Sequence, residues 1–191
     1  MRAVLLLLCL IPFAVQADER PRASVNGTVS GRWLDEVQVG AGRERAALSG
    51  GGISFGGTVE LLARVSRFRF GGQLGLDALE GPRSELDVSR SAPLAPFAPT
   101  REVVSAAMFI TVSPCAGLAF GDDQLLGWLD LLVSFELLRA KVDGEWMLAA
   151  TVAPTLRLGG AVMVGDVGLE VSLLGSYFGA ARVTLAVGLR L

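Results

Sequence analysis

The final stretch of the chain alternates without a break. Val183, Leu185, Val187, Leu189 and Leu191 hold one register, and Arg182, Thr184, Ala186, Gly188 and Arg190 hold the other. Successive side chains of a strand point to opposite sides, so this pattern demands a sheet with one apolar and one polar face. The same signature recurs upstream. Ile53, Phe55, Gly57, Val59, Leu61, Ala63 and Val65 oppose Ser54, Gly56, Thr58, Glu60, Leu62 and Arg64. After a tight turn near Ser66, Phe68, Phe70, Gly72, Leu74 and Leu76 oppose Arg67, Arg69, Gln73 and Asp77. Weaker alternation predicts strands over Val25–Val39, Arg101–Val112, Trp146–Leu158 and Ala161–Leu174. Pro154 lies within one of them and removes a ladder donor, so an irregularity is expected there. Leu125–Leu138 fits a strand or a leucine-rich helix, because periodicity does not arbitrate dense apolar runs. We read it as a strand, in keeping with its neighbours.

The chain begins with an address. Arg2 precedes the short apolar run Val4–Phe13, and Val15-Gln16-Ala17 resembles a small-residue cleavage site. The run is too short for a spanning helix of about 20 residues, so residues 1–17 are expected to be a cleaved secretory signal. Residues 18–191 then form a single domain. Cys115 is the only cysteine outside the signal, which leaves no intramolecular disulfide.

Of the 191 residues 51% are hydrophobic and only 19% charged, with a net charge of −2. Such a chain is not disordered. Its acidic balance also argues against a nucleic-acid partner. High apolarity, export and a small, glycine-rich polar face together favour a sheet whose apolar side meets lipid. A sheet in a bilayer must close on itself to satisfy its backbone. Each crossing takes about 9–11 residues, so eight or ten strands fit and sixteen leave almost nothing for loops. Eight are expected: Val25–Val39, Gly52–Val65, Arg67–Leu79, Arg101–Val112, Leu125–Leu138, Trp146–Leu158, Ala161–Leu174 and Ala180–Leu191. Long connectors at Gly40–Gly51 and Glu80–Thr100 would then face outward, with short turns near Ser66 and Gly159 on the periplasmic side. Ser113–Gln124 is long for such a turn and keeps ten strands open.

The pattern as a whole resembles the small outer-membrane β-barrels of the OmpA/OmpX type. The end of the chain, with Val183, Leu185, Val187, Leu189 and Leu191 in one register, is similar to the signal that barrel-insertion machinery reads. Leu191 stands where that signal ends in Phe or Trp. The resemblance implies an all-β, antiparallel, up-and-down transmembrane barrel in the outer membrane. Its implied partners are outer-membrane lipid, the insertion machinery and an envelope protein, and no cofactor is implied.

Chemistry is narrowed by the absence of histidine. Neither a Ser-His-Asp triad nor a zinc site built on His is possible. Asp122-Asp123 has no following ligand spacing and reads as a solvated turn. Gly50–Gly52 lacks the helix and lysine of a phosphate loop. Cys115 reads as a small packing residue. The polar faces would send Glu60, Arg64, Arg67, Arg69, Asp77, Asp130, Glu136, Arg157, Glu170, Arg182 and Arg190 into the lumen. An eight-stranded lumen is just wide enough to be filled by side chains. Both signs are present, which predicts a salt-bridged plug rather than an open pore. The expected role is non-enzymatic, envelope-structural or surface-interacting through the outward loops. A narrow solute channel and a secreted soluble barrel holding an apolar ligand are the alternatives.

Overall fold

The computed structural model describes residues 22–42, 44–79, 85–90, 104–122, 124–142, 144–165, 167–177 and 180–190. The expected signal lies outside them, as does Leu191. Among the described residues there are nine strands: β1 Arg22–Ala41, β2 Glu44–Val65, β3 Phe68–Leu79, β4 Glu85–Arg90, β5 Val104–Gly121, β6 Leu125–Val142, β7 Glu145–Val164, β8 Val167–Tyr177 and β9 Ala180–Arg190. Eight of them form a closed antiparallel ring, β1-β2-β3-β5-β6-β7-β8-β9, which β9 seals by pairing with β1 from Ser24↔Arg190 to Leu34↔Ala180.

Cross-strand partners give the geometry of the ring. From Arg32 the row passes through Arg182, Ser176, Thr155, Leu132, Cys115, Gly71 and Leu62, and returns to β1 at Arg22. The displacement from Arg32 to Arg22 is a shear of ten residues. With eight strands, that shear tilts them by about 40° and sets a backbone radius of about 8 Å.

The polarity is inside out. Val25, Val29, Trp33, Val59, Leu74, Leu131, Val171, Leu185 and Val187 face outward and are exposed, while Ser24, Asn26, Thr28, Ser30, Thr58, Ser113, Ser134 and Thr184 are buried within. An apolar-ligand carrier would have the opposite arrangement, so the soluble alternative is not supported. At one end, the proximal end, lie Arg22, the turn at Ser66 and Arg67, the turn at 122–124, Gly165 and Arg190. The Ala119 and Met163 amides donate to the Arg67 and Gln124 carbonyls there, at 2.7 and 2.8 Å. Asp122 accepts from the Gln124 and Leu125 amides at 2.9 and 2.8 Å, which holds its carboxyl below its ordinary pKa.

The other, distal end is taller than expected. Gly40–Gly51 is not a loop: β1 and β2 run on to a tip at Gly42, whose φ is +58°. A bulge between Leu34 and Val37 adjusts the register, and the Glu36 amide donates to Ser49 Oγ at 3.1 Å. Hairpin β6–β7 likewise extends to Gly144. Both rise above the short β8–β9 hairpin and meet over it at Gly40↔Leu148. Strand β4, within the expected loop Glu80–Thr100, adds to β2 from Ala46↔Arg90 to Gly51↔Glu85.

Two further expectations are corrected. Ser113–Gln124 is not a long turn; β5 continues to Gly121, and only 122–124 remain between strands. A turn at Gly159 is not formed either, since β7 runs on to Val164. Gly159 is glycine because a Cβ there would strike the indole of inward-facing Trp128. Leu125–Leu138 is strand, not helix. Pro154 sits one residue beyond the last β7–β8 pair, Thr155↔Ser176, and is paired with Val133 on its β6 side, where the register runs on without a shift.

Candidate functional site

The alternation that faces apolar residues outward sends every second residue into the lumen, and those residues form layers along the barrel axis. Ala119, Leu126, Trp128, Ala161 and Met163 make an apolar stopper at the proximal end. Above it lies the first charged tier, Glu60, Arg69, Asp130, Arg157, Glu170 and Arg190, all buried. A hydroxyl belt follows, in which Ser113 donates to Ser134 at 3.0 Å and Ser134 meets Thr155 at 2.8 Å. A second charged tier, Arg32, Asp77, Glu136 and Arg182, lies beyond it. The distal extension closes over that tier with a larger apolar core that includes Leu34, Val39, Leu48, Leu79, Phe109, Leu138, Val142 and Met147.

Each tier is balanced. In the first, Arg157 sits between two carboxylates: it bonds Glu60 Oε1 and reaches Asp130 Oδ2 through Nε at 3.0 Å and through Nη2 at 2.6 Å. Arg69 lies 3.6 Å from Asp130 and stacks on Trp128, with its guanidinium carbon 4.3 Å from the ring centre. In the second tier, Arg32 and Arg182 are direct cross-strand partners. Like charges so placed repel. Glu136 Oε2 resolves this by accepting from both, at 2.7 and 3.1 Å, while Asp77 takes the other arm of Arg32 at 2.7 Å. The Arg32 guanidinium stacks on Phe109, its carbon 3.8 Å from the ring centre. Glycines make room for the carboxylates: Gly56 opposes Asp77 and Gly117 opposes Asp130, and a Cβ at either would collide with the acid.

Of the residues expected in the lumen, Glu60, Arg69, Asp77, Asp130, Arg157, Glu170, Arg182 and Arg190 are buried there, and Glu136 is half-buried. Arg64 lies at the proximal rim, where its Nε donates to the Ser66 carbonyl at 2.7 Å. Arg67 is a correction: it belongs to the turn itself and is exposed, because the chain reverses there before β3 begins. Arg32 was missed by sequence reading, although it continues the polar register Ser24, Asn26, Thr28, Ser30. Val183, Leu185, Val187 and Leu189 all face outward at the closing strand.

Among the described residues these charges are closely packed within the lumen. Cavities of about 20 Å³ beside Arg32, Glu136 and Arg182, and of about 10 Å³ beside Thr28, Asp77 and Thr111, each suit at most one water. Among the described residues no group of three or more acids and cysteines is placed to hold a metal ion.

No protein-family model matches the chain, and no curated protein does. Solved structures do. Neisserial surface protein A (NspA) superposes with a TM-score of 0.58 at 11% identity, covering 88% of this chain and 96% of its own. Ail, the attachment invasion locus protein of Yersinia pestis, gives a TM-score of 0.46 at 11% identity, covering 91% of this chain and all of its own. Ail in complex with the heparin analogue sucrose octasulfate gives 0.49. The fold is that of a small eight-stranded outer-membrane β-barrel. At this identity the likeness establishes architecture, and function rests on the residues of this chain.

Proposed function

We propose that the protein is a sealed, non-enzymatic barrel of the outer membrane that serves the envelope through its distal extension. The observation that carries this reading is the layered lumen: two neutral charged tiers closed at both ends by apolar side chains. Such an interior holds the wall together and offers solutes no route. What remains for interaction is the extension of β1, β2, β4, β6 and β7, a rigid platform for contacts with an envelope or surface partner. Outer-membrane lipid around the wall and the barrel-insertion machinery at β9 complete the proposed partners.

Two measurements test it. Folded protein reconstituted in planar bilayers is expected to stay electrically silent, and regular conductance steps would restore the channel reading. Orientation is tested with cysteine variants at the two ends. Glu145→Cys, beside the distal tip, is expected to react with a membrane-impermeant maleimide on intact cells, whereas Arg67→Cys reacts only after permeabilisation. Buried Cys115 gives a low background. The reverse labelling pattern would place the extension on the periplasmic side and remove its role as a surface platform.

A further inference from the structure

The outward register of β6 is apolar up to Leu137 and cationic beyond it. Leu129, Leu131, Val133, Phe135 and Leu137 are followed on the same face by Arg139 and Lys141. Strand β7 supplies their neighbours, with Leu148 across from Arg139 and Trp146 across from Lys141. The Arg139 guanidinium carbon stands 4.2 Å from the centre of the Trp146 ring, and both residues are exposed. Among the described residues no carboxylate comes within ion-pair distance of Arg139. It differs in this from the lumen arginines of the two tiers, whose charge is matched inside the wall.

Height decides what such a cation meets. Strand β6 stands directly across the ring from β1, four strands away in either direction. With this tilt and shear, Arg139 comes within about 3 Å of the height of Trp33, at the distal edge of the apolar band, and Leu137 lies about 5 Å below it. Exposed tryptophan marks the depth at which headgroups begin. On β1, Trp33 is followed by exposed Asp35 and Glu36. The outer face at headgroup height is therefore cationic on the β6 side and acidic on the β1 side. Stacking on Trp146 uses the flat face of the guanidinium and leaves the donors along its edge available. Those donors match two oxygens of one phosphate.

We infer that Arg139, oriented by Trp146, binds the phosphate of an outer-leaflet lipid. The headgroup meets the edge of the guanidinium. Its acyl chains lie below, against Leu137 and the cross-strand pair Phe135 and Val152, all exposed. Lys141 adds positive charge on the aqueous side of the contact. Asp35 and Glu36 repel the same headgroup, which confines it to the β6–β7 sector. The inference rests on the outer-membrane reading with the extension outward, and adds to it the headgroup chemistry and the side of the barrel that reads it.

The test uses the purified barrel in detergent. A heat-dependent change of gel mobility first shows that it is closed. Native mass spectrometry then follows its titration with phosphatidic acid and with diacylglycerol of the same chains. The wild type is expected to prefer phosphatidic acid. Arg139→Gln is expected to weaken that binding about fivefold, the effect of one basic residue at a membrane surface. Trp146→Leu, which leaves the charge and removes its support, should weaken it in the same direction. Arg67→Gln is the control, an exposed cation at the opposite end of the barrel. Loss in heat-shifted Arg139→Gln and Trp146→Leu but not in Arg67→Gln supports the site. Equal binding of diacylglycerol, or equal loss in Arg139→Gln and Arg67→Gln, overturns it. Displacement of the lipid by equimolar inorganic phosphate overturns the assignment to a lipid. Reversed labelling at Glu145→Cys overturns the outer leaflet alone, and a wild type without the heat shift overturns the barrel reading beneath both.

Discussion

Replacing Arg157 with methionine is expected to lower the unfolding free energy by about 3–5 kcal/mol, the usual cost of removing one partner from a buried ion pair. Arg157 bonds Glu60 and Asp130 at once, so its loss leaves two buried carboxylates with Arg69 as the nearest compensating charge. Asp130 would lose its two arginine contacts at 3.0 and 2.6 Å and keep only the longer approach of Arg69 at 3.6 Å. Methionine retains much of the volume, so the loss reports charge rather than a cavity. Denaturant titration followed by the fraction of heat-shifted barrel measures it. Arg67→Met, in the exposed proximal turn, should stay within about 0.5 kcal/mol of wild type. If Arg157→Met is equally mild, the tier does not hold the wall together.

Introducing arginine on the outer wall should be nearly as costly, for a different reason. Val187 faces outward on β9, 45% exposed, close to the middle of the apolar band. In a bilayer, Val187→Arg is expected to cost about 2–4 kcal/mol, the value for a cation at the midplane of a lipid-facing strand. Gln38→Arg, on the exposed distal part of β1, should be neutral within about 0.5 kcal/mol. Unfolding titrations of both variants in lipid vesicles provide the comparison. Equal stability at the two sites would mean that the wall around Val187 faces water. The same pair therefore separates a membrane barrel from a soluble one, independently of any lumen measurement.

The sequence made the ring legible because lipid and lumen impose opposite demands on adjacent residues. Ile53–Val65 and Arg182–Leu191 show those demands cleanly, and their faces could be assigned from the alternation. The heights of the hairpins were not legible. Gly50, Gly51 and Gly52 look like a loop, yet they lie in β2 beside β1, where Gly51 leaves room for the Trp33 ring. Gly159 looks like a turn for a similar reason, its missing side chain being the space that Trp128 occupies. In a narrow barrel, glycine serves large neighbours inside the wall as often as it serves reversals of the chain. Arg32 was legible in principle, as the next member of a run of small polar residues. Its partners Asp77 and Glu136 stand 45 and 104 residues away, and only the ring brings them together.

The seam between β1 and β9 has a consequence for how the molecule is made. Ser24 pairs with Arg190, so the first and last strands of the ring depend on each other for their hydrogen bonds. Until β9 arrives, β1 offers a bare edge, and a bare edge is intolerable in hydrocarbon. Synthesis from the N-terminus delivers that partner last. Strand-by-strand entry into the bilayer is therefore unfavourable, and closure becomes an all-or-nothing event that waits for β9. A chain shortened by its last strand would carry every charged residue of the lumen except Arg182 and Arg190, and still have no way to finish.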